Sequence, residues 1–282
     1  MSNLQELTPA EQAKPYAKYY YREPGPPDPG LLELIQPGKP MNAYEALAIE
    51  DMNELLQPGY MQGETGYCVL KNGAGYVAVN IKMPGVTVDM INWWFAWHSL
   101  EDLRYKLWWP QGHFGISISE EDRKKVLDTH RPITQKFQGI THHVIEDTGG
   151  GVEDIFISFL TPEEMGFDMD RFKSPHVATL IGANGLSARV GAPADAPKIP
   201  AVMCHFIREI PTGIEFRTRF WLGYQIVDKK PQLLLPPGIR VPEIAPFGLS
   251  RHCILEYANL RTILPEIYQE QKKVWNDVNI RR

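Results

Sequence analysis

The spacing of hydrophobic positions changes along the chain, and each change predicts a different kind of element. Residues 1–62 carry only short apolar pieces such as LLELI, interrupted by Pro24, Pro26, Pro27, Pro29, Pro37, Pro40 and Pro58. They read as a proline-rich arm with a helical candidate at 42–56, where Ala43, Leu47, Ile49 and Leu55 give a partial apolar stripe. Such an arm cannot bury itself. It is expected to pack on the main domain, residues 63–282, or on a second subunit.

From about residue 66 the pattern alternates. Residues 67–70 and 75–82 predict two strands around the Asn72-Gly73 turn. In 87–108 (TVDMINWWFAWHSLEDLRYKLW) apolar residues recur at three- and four-residue steps. Thr87 is a ready N-cap and Asp89 suits the first turn, so a helix is predicted that stops before Pro110. Residues 119–129 are polar and read as a surface turn or short helix. Strand pairs are predicted at 141–160, around Gly149-Gly150-Gly151, and at 201–210 with 214–226, around Pro211-Thr212-Gly213. Residues 249–278 predict one long helix or two, with Pro265 as the candidate break. Antiparallel hairpins followed by a long helix argue an α+β fold, a curved sheet wrapped round a helix and enclosing a cavity.

Composition narrows the class. With 282 residues, 43% apolar and 22% charged, the chain has ordinary globular usage. A net charge of −5 gives no global field for nucleic acid or anionic lipid. No run of 18 apolar residues is present, so no membrane partner is expected. The N-terminus, MSNLQELTPAEQ, lacks the basic-then-apolar layout of a secretory signal. Cys68, Cys204 and Cys253 form no CxxC and cannot all pair, which fits a reduced, cytoplasmic protein. Five of the seven tryptophans fall between Trp93 and Trp109, as a core floor or as the wall of a pocket for a flat ligand.

Candidate chemistry starts with the histidines. His252 and Glu256 are four residues apart in a predicted helix, so they share a face and can bind one metal ion, or simply each other. His113, in WWPQGHFG, follows the tryptophan-rich helix on a loop or strand start. Strand alternation puts His142, Val144 and Glu146 on one face, and an inward carboxylate needs a cation or donors. Glu153 and Asp154, across the glycine turn, compete with Glu146 for that role. His205 sits mid-strand on the face of Met203 and Ile207, as a core residue or a proton donor in a cavity. Arg217 and Arg219 alternate with Phe216, Thr218 and Phe220 and read as a solvated or salt-bridged sheet face. No GxSxG, P-loop, HExxH or GxGxxG motif occurs.

Together, WWFAWH, DLRYKLWWPQGH, FRTRFWLGY and SRHCILEYANL followed by LP resemble the 2,4-diacetylphloroglucinol hydrolase family, which includes phloretin hydrolase. The resemblance spans roughly residues 65–270. It implies a Bet v 1-like helix-grip domain, an N-terminal region that assists homodimer formation, and a divalent metal, usually zinc (Zn2+). It also implies hydrolysis of the carbon–carbon bond between an acyl group and a polyhydroxylated aromatic ring, with a small aromatic ketone as substrate. Carried over by position, the metal ligands are His113, Glu146, His252 and Glu256, with Tyr105 and His205 as catalytic candidates. The family's later substrate tyrosine falls near Trp221 or Tyr224, and Trp97 and Trp109 are candidate walls of the substrate cavity. The asparagine that the family places just after the metal histidine has no counterpart in FGISIS. A cyclase or isomerase acting on a polyketide-like aromatic, or a carrier of hydrophobic aromatics, are the alternative functions of such a cavity.

Overall fold

The computed structural model describes residues 4–173, 176–193, 195–196 and 198–278. The arm begins with α1 (Pro9–Gln12), started by a capping box between Thr8 and Glu11, and α2 (Pro29–Glu33), capped by Asp28. Of the helix expected at 42–56, only Ile49–Leu56 is helical, as a 3-10 segment. Upstream of it the Asn42 side chain accepts the Tyr44 N–H, a local bond that holds a turn in place of a helix. The arm packs on its own chain. Leu7, Tyr16, Tyr19 and Tyr20 join the core on one side of the sheet, and Leu47, Ile49, Met52 and Leu55 join a second apolar cluster on the other.

Between those two clusters lies an eight-stranded antiparallel sheet. Its strands are β1 (Gly66–Val69), β2 (Gly75–Pro84), β3 (His113–Ser117), β4 (Thr141–Asp147), β5 (Val152–Leu160), β6 (Thr179–Arg189), β7 (Ile199–Ile210) and β8 (Gly213–Leu222). The spatial order is β1-β2-β8-β7-β6-β5-β4-β3. The expected hairpins are present; β6, which sequence patterning did not predict, links the two pairs. Period-2 alternation sorts the side chains. On β7, Met203, His205 and Ile207 face the helix side, whereas Val202, Cys204 and Phe206 face the outer cluster. A separate ribbon of β9 (Tyr224–Val227) and β10 (Lys230–Leu233) follows β8.

The tryptophan-rich segment is broken where one helix was expected. Thr87 caps α3 (Val88–Trp97), His98–Leu100 form a 3-10 turn, Glu101 is extended, and α4 (Asp102–Lys106) restarts the helix. The Asp102 side chain accepts the Ile116 N–H and so ties α4 to β3. The polar segment after β3 contains α5 (Glu120–Leu127), and a capping box starts α6 (Pro162–Met165) after β5. The C-terminal helix, α7 (Ile244–Val278), is one element that passes through Pro265 and begins before residue 249. It lies against β1, β2 and α3, and its buried stripe includes Cys253, Ile254, Tyr257, Leu260, Leu264 and Ile267. A long helix gripped by an antiparallel sheet is the helix-grip arrangement. All three cysteines are free and buried. No helix among the described residues is long and apolar enough to cross a membrane.

Candidate metal centre

Three elements deliver the centre. The β3–β4 register sets His113 opposite Glu146, and α7 presents His252 and Glu256 from successive turns of one face. Glycines bring helix and sheet together. The β4–β5 hairpin tip lies so close to α7 that a Cβ on Gly149, whose φ is +101°, would sit 2.8 Å from the Cα of Gly248. His113, His252 and Glu256 each offer a ligand atom within 4.8 Å of the others. The His113 and His252 Nε2 atoms are 3.2 Å apart, and Glu256 Oε2 is 3.4 Å from His113 Nε2 and 3.7 Å from His252 Nε2. Glu146 adjoins this trio from the sheet, with Oε2 3.5 Å from His113 Nε2.

Hydrogen bonds fix which atoms face the centre. His113 Nδ1 donates to the Tyr105 carbonyl at 3.2 Å, leaving Nε2 as the bare nitrogen. The Tyr105 ring stacks on the His113 ring at 4.1 Å, and its hydroxyl donates to Glu146. Burial, with the neighbouring His252 ring, holds the His113 imidazole well below its usual range, and burial brings His252 down to about 4. Both rings are therefore neutral at physiological pH. Burial lifts the Glu146 carboxyl to about 7, and Glu153 and Asp147 push the same way against the Tyr105 hydrogen bond. Glu256 is raised well above the carboxylate range by burial first and then by the charge of Glu146. Two neutral imidazoles and two mutually repelling carboxylates in one buried cluster form a donor set that a divalent cation would satisfy. The residues present fit such an ion.

The centre opens into a chamber of about 280 Å³. His205 lines it from β7, with Nδ1 3.0 Å from the Thr218 hydroxyl, which itself donates to Tyr257. That hydroxyl therefore accepts from Nδ1, and Nε2 of His205 is left as an acceptor. Tyr105 and Trp108 also form the wall.

Four expected wall residues do not. Trp97 is packed between Trp93 and Tyr16, beneath the Arg104 guanidinium. Trp109 is buried against Gly112, outside the chamber. Trp221 is on the outer face of β8, because alternation turns Phe220 inward, and its indole N–H donates to the Leu47 carbonyl. Tyr224 lies beyond Gly223 in the outer cluster, its hydroxyl accepting from Asn72. Of the rival carboxylates, Glu153 reaches the chamber edge and accepts from Thr148, while Asp154 pairs with His143. Sequence reasoning gave no role to two chamber histidines, His98 and His142, although it placed His142 on the face of Val144 and Glu146.

Comparison of the sequence with known proteins finds relatives over most of its length. The family model described as DAPG hydrolase PhiG domain matches residues 47–269. Phloretin hydrolase of Eubacterium ramulus is 32% identical over 266 residues, covering 93% of this chain and 92% of that protein. A 2,4-diacetylphloroglucinol hydrolase of Pseudomonas protegens is 29% identical over 273 residues, covering 93% of this chain and 86% of its own length. A second enzyme of that name, from a Pseudomonas species, is also 29% identical, with 90% of its length covered. With the matched region spanning most of the sequence, the chain belongs to the DAPG hydrolase family.

Proposed function

We propose that this protein is a zinc-dependent hydrolase that cleaves the bond between an acyl carbon and the ring carbon of a polyhydroxylated aromatic ketone. The observation that carries the reading is the convergence of His113, His252 and Glu256 within 4.8 Å, with Glu146 beside them, at one end of a largely apolar chamber. The names of its relatives, hydrolases of phloretin and of 2,4-diacetylphloroglucinol, support the substrate class.

In the reaction a water oxygen bonds to the acyl carbon. The carbon–carbon bond breaks with its electron pair going to the ring, and the ring carbon takes a proton. A carboxylic acid and a free phenol leave. Ring hydroxyls make this feasible, because the ring can accept the proton on carbon as a keto tautomer. A zinc ion held by His113, Glu146, His252 and Glu256 would polarise the carbonyl and bring the pKa of a water to about 7.

The chain's own groups do the remaining work. Tyr105 remains a phenol, its pKa raised well above 10 by burial and then by Glu146, so it can orient the substrate as a neutral group. Burial holds His205 near 3, so its ring is neutral and can accept a hydrogen bond from a phenolic hydroxyl at Nε2. Phe95, Trp108 and Phe220 contribute the apolar surface against which a flat ring lies.

The test is metal analysis of purified protein beside turnover of acylated phloroglucinols. His252→Ala or Glu256→Ala should lose both bound metal and activity, and retention of both would overturn the assignment. Mass balance checks the reaction type: hydrolysis adds the elements of water and releases a carboxylic acid, whereas isomerisation or cyclisation conserves substrate mass.

A further inference from the structure

The chamber has a second polar end. The inward residues of β4 are His142, Val144 and Glu146, so the strand repeat sets His142 about 13 Å from Glu146 along the backbone. His142 is 1% exposed, and among the described residues its Nε2 has no hydrogen-bond partner. A buried polar atom left in that state calls for an explanation, and a ligand group is one. The His98 ring meets it edge-on, with centroids 5.4 Å apart.

His98 completes the pair. Its Nδ1 lies 2.8 Å from the Trp94 carbonyl. A carbonyl only accepts, so that nitrogen carries the proton and Nε2 is an acceptor. Burial depresses both imidazoles, His98 to about 3, so each is neutral and able to exchange hydrogen bonds with an uncharged hydroxyl. Their surroundings are apolar: Phe95 contacts His98, and Phe159 contacts His142 at 4.6 Å between centroids. Trp108 spans the gap to the ligand cluster, 5.6 Å from the His113 ring and 5.5 Å from the His98 ring. A flat ring lying beside Trp108 would have its acyl end at the cluster and its far edge at these histidines.

We propose that His98 and His142 form a hydroxyl-reading subsite, which binds the phenolic hydroxyl opposite the acyl group and so selects rings that carry one there. This rests on the acyl-phenol hydrolase reading. The two residues determine specificity by touching substrate; they are not assigned a proton-transfer step.

The experiment uses the metal-loaded full chain and two ligands that differ only in that hydroxyl, 2,4,6-trihydroxyacetophenone and 2,6-dihydroxyacetophenone. Binding is followed by stopped-flow quenching of tryptophan fluorescence. The wild type should favour the trihydroxy ligand by about tenfold or more, the consequence of filling rather than stranding a buried acceptor. His142→Phe should bring the ratio close to one, with bound metal and affinity for the dihydroxy ligand retained. His142→Gln, which keeps a polar group near the Nε2 position, should recover part of the preference.

An unchanged ratio in His142→Phe, or no preference in the wild type, overturns the proposal. Should His142→Phe fail to fold, imidazole ¹⁵N shifts of the wild type decide. The His142 signal should move with the trihydroxy ligand and not with the dihydroxy one, and equal movement refutes the subsite. The hydrolase reading fails separately, if no carboxylic acid is released from acylated phloroglucinols even where the binding contrast holds.

Discussion

His113 and Glu146 are cross-strand partners on β3 and β4, and their facing atoms, Nε2 and Oε2, are 3.5 Å apart. Tyr105 ties them further together, stacking on the imidazole while its hydroxyl donates to the carboxylate. Tyr105→Phe keeps the stack and deletes the hydroxyl. Metal affinity in this variant should fall about tenfold, as for loss of other outer partners of a ligand. Turnover at saturating metal should fall further, because Tyr105 also lines the chamber. Competition with a chromophoric chelator measures the first effect and steady-state kinetics the second. A variant with wild-type kcat/KM would remove Tyr105 from the reaction.

The same cluster predicts how stability follows pH in metal-free protein. Burial raises the Glu146 carboxyl to about 7 from an ordinary 4.5. Between those values the folded state holds a proton that the unfolded state has released, so stability declines as pH rises from about 4.5 to 7. The full contribution is present below 4.5, and the cost above 7 is of order 3 kcal/mol. A bound divalent ion compensates the charge and reverses the trend. Thermal melts with chelator should therefore show Tm falling over this window, and added zinc should raise Tm more at pH 7.5 than at pH 5. Equal zinc shifts at both pH values would contradict the electrostatic account.

Much of the site was legible because its spacing rules are local. His252 and Glu256 announce themselves by the four-residue helical repeat, and the inward face of β4 follows from two-residue alternation once the strand is placed. The hairpins around Asn72-Gly73 and Gly149-Gly151 were marked by their turns. The wall of the chamber was not legible in the same way. Trp221 was assigned to the ligand side, although Phe216 and Phe220 share a face and alternation then sends Trp221 outward to the Leu47 carbonyl. The tryptophan run also misled: Trp97, the last residue of α3, packs against Tyr16 of the arm. That partner is distant in sequence, and no local pattern specifies it.

Docking of the β4–β5 hairpin on α7 should control the metal centre from outside it. A Cβ on Gly248 would lie 2.8 Å from the Thr148 carbonyl oxygen and 3.2 Å from the Gly149 Cα, so a larger side chain must push the hairpin from the helix. Gly248→Val should separate Glu146 from His252 and Glu256. The expected result is at least about a tenfold loss of zinc affinity, since ligand geometry tolerates little displacement, in a protein that keeps its far-UV circular dichroism. Unchanged zinc affinity would show that the close approach has no part in assembling the site.

On the outer face of the sheet a buried ion cluster fastens the segment between the arm and β1, and its pH response runs opposite to that of Glu146. Glu64 accepts from Arg217 at 2.6 Å and from Arg219 at 3.0 Å, and both guanidinium groups are fully buried. Burial by itself raises the Glu64 carboxyl, but the Arg217 hydrogen bond and the charges of Arg219 and Arg217 bring it down to about 2. For a depressed carboxyl the stabilisation is complete above the unfolded value near 4.5 and is lost as pH falls from there toward 2. Glu64→Gln removes the charge at every pH and leaves two buried cations short of a partner, a loss of about 3 kcal/mol or more. Urea denaturation at pH 7 should show that loss in the variant. Below pH 4.5 the gap between wild type and variant should narrow, because acid has already begun to neutralise Glu64 in the wild type. A gap that stays constant from pH 7 to pH 3 would mean that the ion pairs do not hold the segment before β1 in place.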